Sequence, residues 1–95
     1  MVYKDFYHLM LEYFAQPVEL FTSTKKKPFT LYAEEQKLFV RNGKNNISRI
    51  NPSEVAAFIE RFEESESLLA KDYQDVTFKA SYLLAAMKYI TVKTR

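Results

Sequence analysis

Apolar side chains recur at helical spacing along the first sixteen residues of the chain. Intervals of three and four positions place them on one face of a helix, so we predict a helix over Val2–Gln16. Pro17 ends this helix, because the residue before a proline is pushed out of the helical region. The apolar face consists of Tyr3, Phe6, Tyr7, Met10, Tyr13 and Phe14.

Between residues 18 and 50 the pattern changes to the two-residue alternation that is typical of β-strands. It predicts strands over Val18–Thr22, Phe29–Glu34 and Lys37–Arg41, and a short closing strand over Ile47–Ile50. We expect these strands to form an antiparallel sheet. Whether the fourth strand pairs stays open at this point, so the predicted sheet has three or four strands.

Polar connections separate the predicted strands. Residues 24–28 form a turn with three consecutive lysines, and Glu35-Gln36 is predicted to be a tight turn. Asn42-Gly43 is the strongest turn signal in the chain, because this pair suits the positive φ angles of hairpin turns. The polar residues up to Asn46 extend that turn into a loop.

Two helices are predicted after the strands. Asn51 can cap the first of them, Pro52 fits its first turn, and Glu54 can complete a capping box. The connection after this helix is irregular, and we expect its apolar residues to pack back against the core. These residues are Leu68, Leu69 and Tyr73.

The last helix is predicted to begin at a cap formed by Asp75 or Thr77 and to run to about Tyr89. Its apolar residues cover most of its surface, so we expect it to be largely buried. Strands grouped between helices indicate an α+β fold with an N-terminal helix, an antiparallel sheet and two C-terminal helices. The length fits one domain over residues 1–95, and 16% aromatic residues suffice to organise a small core.

Composition argues against several classes of function. The chain has no cysteine, one histidine and one glycine, which argues against disulfides, zinc sites and glycine-rich phosphate loops. We therefore expect neither a metal nor a cofactor. The lack of cysteine, of a signal-peptide pattern after Met1 and of a long apolar stretch predicts a cytoplasmic protein without membrane partners.

Two groups of residues bear on catalysis, and each has a simpler explanation. Glu35 and Lys37 have the acid-x-Lys form of metal-dependent nucleases, with Glu19 as the available second acid, but the tripeptide is more simply a hairpin turn. His8 lies one helical turn before Glu12, a spacing that is more simply a surface pair. We predict no catalytic residue and a domain that is not an enzyme.

Basic residues cluster in the connections at one end of the predicted sheet. If the strands pair in order, the lysine turn and the Asn42–Asn46 loop lie together and gather up to six positive charges. Lysine and arginine neutralise phosphates, while amides and hydroxyls donate to phosphates or base edges. We therefore predict a DNA or RNA site, against the alternative of an ordinary solvated turn. Its residues are Lys25, Lys26, Lys27, Arg41, Lys44, Asn45, Asn46, Ser48 and Arg49.

The tyrosines support a second hypothesis, a protein-interaction module or homodimer that has no contact with nucleic acid. A short chain with this many aromatic residues can leave an apolar patch exposed. The first helix is the expected contact surface through Tyr3, Tyr7 and Tyr13, since tyrosine suits interfaces. Tyrosines are more often core residues than stacking platforms. Tyr32, which shares its strand face with Thr30 and Glu34, is the best candidate for an exposed ring that stacks on a base.

One segment resembles a known kind of domain. Phe39-Val40-Arg41-Asn42, followed by residues 47–55 and Phe58, is similar to a strand–strand–helix segment of some restriction and phage-defence proteins. Residues 80–85 resemble the closing helix of those proteins. The resemblance implies a small accessory domain near DNA-processing machinery. No nuclease or ATPase is part of the 95 residues, so we expect the domain to act alone or with a partner protein.

Overall fold

The computed structural model describes residues 5–22, 25–77 and 79–93. Three helices and four strands follow each other in the predicted order, which confirms the α+β fold. A short 3₁₀ helix lies in the connection between the last two helices. The elements are α1 Phe6–Tyr13, β1 Val18–Phe21, β2 Pro28–Glu34, β3 Lys37–Asn42, β4 Ile47–Ile50, α2 Pro52–Ser65, the 3₁₀ helix Ala70–Tyr73 and α3 Ala80–Lys93.

The four strands form one antiparallel sheet in the order β1-β2-β3-β4, so the fourth strand does pair. Leu31 lies opposite Val40, and Leu38 lies opposite Ile50. Because successive side chains of a strand point to opposite sides, this register collects the buried residues on one side of the sheet, the inner face. The inner face includes Phe29, Leu31, Leu38, Val40 and Ile50, which are all at most 2% exposed.

The helices pack against the inner face and close the core. Phe6, Met10 and Phe14 come from α1 and the residue after it, and Phe58 comes from α2, all at most 1% exposed. Helix α3 contacts α1, α2, β1 and the 3₁₀ helix. The prediction of a largely buried last helix is therefore confirmed. Its buried residues are Ala80, Leu83, Leu84, Ala85, Ala86, Met87 and Ile90.

Two predicted helix ends differ from the structure. Helix α1 ends at Tyr13 instead of Gln16, because the carbonyl of Phe14 accepts a hydrogen bond of 2.8 Å from the backbone of Ala33 in β2. Helix α3 continues past Tyr89 to Lys93. The predicted start of α1 before residue 5 lies outside the described residues.

The prediction that three residues of the connection after α2 pack against the core is right for Tyr73 and wrong for Leu68 and Leu69. Tyr73 is fully buried, and its hydroxyl donates a hydrogen bond of 2.6 Å to the carbonyl of Ser67. Leu68 and Leu69 are instead 68% and 51% exposed. One aromatic ring therefore anchors this connection, and the two leucines stay at the surface.

The two tight connections of the sheet differ from each other. Glu35 and Gln36 both have positive φ, 53° and 65°, as a two-residue hairpin turn of the primed type requires. The Asn42 loop is longer, because the backbone N–H of Asn45 donates to the carbonyl of Asn42, and the N–H of Asn42 donates to the carbonyl of Asn46. Asn45, with φ 66°, takes the left-handed position of this loop.

Replacing Glu35-Gln36 by Asn-Gly should raise the free energy of unfolding by about 1 kcal/mol, since side chains with a full Cβ are costly in the left-handed region. Urea denaturation measures this change. Gly43→Ala is the matched control, because Gly43 lacks positive φ and an added Cβ would lie 3.7 Å from the nearest atom, the Pro28 carbonyl oxygen. A large loss of stability in Gly43→Ala would contradict the loop geometry.

A cluster of polar side chains joins the start of α2 to the start of α3. We call this cluster of Glu54, Thr77 and Lys79 the clasp. The Glu54 carboxylate accepts hydrogen bonds from the Thr77 hydroxyl at 2.9 Å and from the Lys79 ammonium at 3.2 Å. The Thr77 hydroxyl also accepts a hydrogen bond of 3.1 Å from the backbone N–H of Lys79, just before α3 begins at Ala80. Asn51 donates its side-chain amide to Glu54 at 3.0 Å, so the expected capping box is replaced by a contact between side chains.

The clasp makes stability depend on pH. Burial raises the pKa of the Glu54 carboxyl, but hydrogen bonds from Thr77 and Lys79 and the Lys79 charge outweigh it, so the pKa is lowered. A lowered folded-state pKa stabilises the fold above the unfolded value of about 4.3, and this contribution is lost as the pH falls through the folded pKa.

Glu54→Gln should therefore lower the free energy of unfolding by about 1–2 kcal/mol at neutral pH, because the paired lysine loses its partner. The difference from the wild type should shrink toward about pH 3, where the wild-type carboxylate also becomes protonated. Urea denaturation at both pH values tests this. Glu64→Gln, at an exposed position of the same helix, should change stability little. A Glu54→Gln penalty of the same size at both pH values would contradict the charge-based account.

Candidate nucleic-acid interface

Two hairpin loops meet at one end of the sheet. Phe21 lies opposite Pro28, and Phe29 lies opposite Asn42, so the β1–β2 loop and the β3–β4 loop extend from the same end. The connection between α2 and α3 lies beside them. Together the three segments line an open groove with a volume of about 900 Å³.

The groove has a cationic wall. Four lysines line it, and the described lining residues include no carboxylate. Amide side chains of two asparagines and one glutamine, together with Ser81 and Tyr82 of α3, add hydrogen-bonding groups. The lysines are Lys25, Lys27, Lys44 and Lys71, and the amides are Asn42, Asn46 and Gln74.

Thr22 organises the β1–β2 loop. It is 7% exposed, its hydroxyl accepts a hydrogen bond of 3.0 Å from the backbone N–H of Lys27, and its carbonyl accepts from that of Lys26. Lys26 takes the left-handed conformation with φ 54°. Lys25 and Lys27 consequently line the groove, while Lys26 is exposed outside it.

Asn42 organises the β3–β4 loop. Its side-chain oxygen accepts hydrogen bonds from the backbone N–H groups of Lys44 and Asn46, at 2.9 and 3.0 Å. This closed loop places Lys44 and Asn46 in the groove wall. Asn45, at the left-handed position, is exposed and does not line the groove. The role of Asn42 is therefore to shape the loop that presents the cation.

The third wall comes from the 3₁₀ helix and was missed by sequence reasoning. Lys71 and Gln74 lie on either side of the buried Tyr73, in a stretch without helical or strand periodicity. Only the folding of this connection against α3 brings them to the loops. A lysine two residues from an aromatic residue is too common in sequences to predict a binding site at Lys71.

An ion pair fixes this wall to α2. The Arg61 guanidinium donates two hydrogen bonds to the Asp75 carboxylate, at 3.0 and 2.8 Å, and a third to the carbonyl of Asp72. The hydrogen bonds from Arg61 lower the pKa of Asp75, and the same contact raises the pKa of Arg61. Asp75 therefore pairs with Arg61 of α2.

The predicted basic rim divides into two surfaces. Arg41 lies opposite Thr30 and Ile47, and Arg49 lies opposite Phe39, which places both arginines on the side of the sheet away from the helices, the outer face. Ser48 lies opposite Val40 on exposed β4 and does not line the groove. The expectation of a single basic cluster is thus wrong. The lysines line the groove, whereas Arg41 and Arg49 lie on the outer face of the sheet.

The tyrosines of the alternative interface are less available than expected. Tyr7 and Tyr13 are half-buried and pack against the core. The Tyr7 hydroxyl lies 3.4 Å from the carbonyl of Gln36, to which it donates. Tyr3 lies outside the described residues. Much of the ring surface of the two described tyrosines is therefore used inside the domain.

The candidate nuclease residues do not come together. Glu19 lies level with Thr30 on β2, and Glu35 lies in the turn five residues further along, about 16 Å away at the usual rise of a strand. His8 and Glu12 are both exposed on α1. Within the part of the chain that the structure describes, no group of three or more acidic, histidine or cysteine side chains is placed to hold a metal ion.

Nothing in the described residues forms a helix of the length and apolarity needed to cross a bilayer. Comparison with protein-family models, with curated proteins and with solved structures finds no match to this chain.

Proposed function

We propose that the chain is a small non-enzymatic nucleic-acid-binding domain whose lysine-lined groove binds the phosphate backbone. The observation that carries the proposal is the convergence of Lys25, Lys27, Lys44 and Lys71 from three separate segments on one groove whose described lining holds no carboxylate. Like charges repel when they are brought together, and bound phosphates relieve that repulsion.

The distribution of charge supports the same function. The formal net charge is only +2, yet the exposed acidic residues of α2 and its end lie away from the groove. A near-neutral chain therefore carries a polarised surface that attracts polyanions locally. The acidic residues in question are Glu60, Glu63, Glu64 and Glu66.

The type of cation indicates backbone recognition. Lysine is a flexible point charge, suited to phosphates, whereas bidentate readout of bases is typical of arginine. Gln74 and Asn46 add amide donors that orient a phosphate without reading sequence. We infer binding to DNA or RNA with little sequence preference, in the bacterial or phage defence setting that the resemblance of residues 39–58 implies.

The proposal predicts salt-dependent binding that fails when the groove loses its charge. A triple variant, Lys27→Ala with Lys44→Ala and Lys71→Ala, removes one lysine from each wall. Its affinity for a labelled oligonucleotide at low salt should fall at least about tenfold, and the slope of log affinity against log salt should shrink by about 2–3. Fluorescence anisotropy over a salt series measures both.

The control removes charges elsewhere. Lys88 and Lys93 of α3 are exposed and lie outside the groove, so their double alanine variant should keep most of the affinity and slope that the double variant Lys27→Ala with Lys44→Ala loses. Equal losses of affinity in the two variants would show that the groove is not a specific site and that the ligand responds only to the overall positive charge. An absence of binding by the wild type at low salt would refute the function itself.

A further inference from the structure

The outer face of the sheet carries a pair of stacked aromatic rings. Tyr32 of β2 lies opposite Phe39 of β3, with ring centroids 5.5 Å apart and an interplanar angle of 21°. Both residues are half-buried, whereas Leu31, Leu38 and Val40 next to them on the inner face are buried. Nearby on the same face, Phe21 and Ile47 are 54% and 56% exposed. No described helix covers these rings.

The charge around the rings is positive. Arg49 lies directly opposite Phe39, and Arg41 lies two residues further along β3 on the same face. Both arginines are exposed, and neither forms an ion pair with a described residue. Of the acidic residues on this face, Glu34 lies opposite Lys37, and Glu19 lies on β1 beyond Thr30. The centre of the face therefore combines two rings with two unpaired arginines.

The ring pair is close to the lysine-lined groove. Phe39 and Asn42 belong to the same strand and are three residues apart, which corresponds to about 10 Å. Arg41 lies between them on the outer face, and Lys44 follows in the loop. A chain of phosphates leaving the groove over this loop would thus meet Arg41 before it reached the rings.

We propose that the ligand is a single-stranded nucleic acid, whose backbone lies in the groove and along Arg41 and Arg49 and whose bases stack on Tyr32 and Phe39. This inference rests on the proposed function and adds the strandedness of the ligand and a second contact surface. Ring stacking needs an unpaired base with a free face, which a duplex does not offer. The arginines favour a polyanion over a second copy of this chain, because a copy would bring the same positive charges to the contact.

Two ring variants and one fluorescent variant test the proposal. Tyr32→Val with Phe39→Val removes both rings and keeps residues that favour strands, whereas Tyr32→Phe with Phe39→Tyr keeps both rings. Because the chain has no tryptophan, Tyr32→Trp introduces a single emitter at the stacking position. The probes are labelled oligothymidylate and oligouridylate of about 12 nucleotides and a duplex of the same length.

The wild type should bind the single strands more tightly than the duplex. The valine variant should lose at least about tenfold in affinity for the single strands and little for the duplex, since each base–ring stack contributes about 1–3 kcal/mol. The variant with exchanged rings should keep its affinity, and Tyr32→Trp emission should be quenched by the single strands. Circular dichroism and thermal melting confirm that each variant is folded.

The other outcomes separate this inference from the function it rests on. Duplex and single strands that bind equally, with groove lysines required and rings dispensable, would overturn the stacking surface and leave the groove in place. No binding of any probe would overturn both. A valine variant that keeps nucleic-acid binding but loses a self-associated state in sedimentation would show that the outer face is a contact between copies of the chain.

Discussion

One-sided burial of the sheet is the constraint on which the rest of the structure depends. A domain of this size has enough helix to cover one face of four strands. Helices α1 and α3 contact the strands, and α2 packs against both of these helices. Alternation along β2 and β3 then decides which side chains are left outside. Tyr32, Phe39 and Arg41 lie on the outer face because Leu31, Leu38 and Val40 face inward.

The groove depends on the same arrangement through the connection between α2 and α3. With α3 buried against the sheet, the connection after α2 passes the end of the sheet where the hairpin loops emerge, and Leu69, Ala70, Lys71 and Gln74 line the groove there. Three contacts hold this irregular segment: the buried ring of Tyr73, the Arg61–Asp75 ion pair and the Glu54 clasp to Thr77. The exposed ion pair contributes little free energy by itself, so the buried ring and the clasp carry most of the positioning.

The sequence predicts the fold well because each element has a period of its own. Alternation marked β2 and β3 nearly to the residue, and the apolar surface of α3 on most sides predicted its burial. Errors arose where tertiary contacts override a local signal. Helix α1 ends at Tyr13 instead of Gln16, where the carbonyl of Phe14 accepts a hydrogen bond from the backbone N–H of Ala33 in β2.

The candidate site was only partly predictable, for a related reason. Charge runs in loops reveal which residues are basic but not which face of the sheet their neighbours occupy. Alternate positions of a strand face opposite sides of the sheet, and the register puts Arg41 and Arg49 on the outer face. The groove lysines lie instead in the connections at the end of the sheet. Lys71 joins the groove only through the folded connection, so its contribution was invisible without the structure.

Lysines in the groove and arginines beside the rings are suited to different parts of one ligand. A lysine ammonium neutralises a phosphate from many directions, so a groove of lysines holds a backbone whose path is not fixed. An arginine beside an aromatic ring can stack with a base as well as contact phosphate, and Arg49 lies opposite Phe39 in this position. The division of cations between the two surfaces therefore favours a ligand with a flexible charged backbone and free base faces. A single strand combines these properties, and a duplex, whose bases are already stacked on each other, does not.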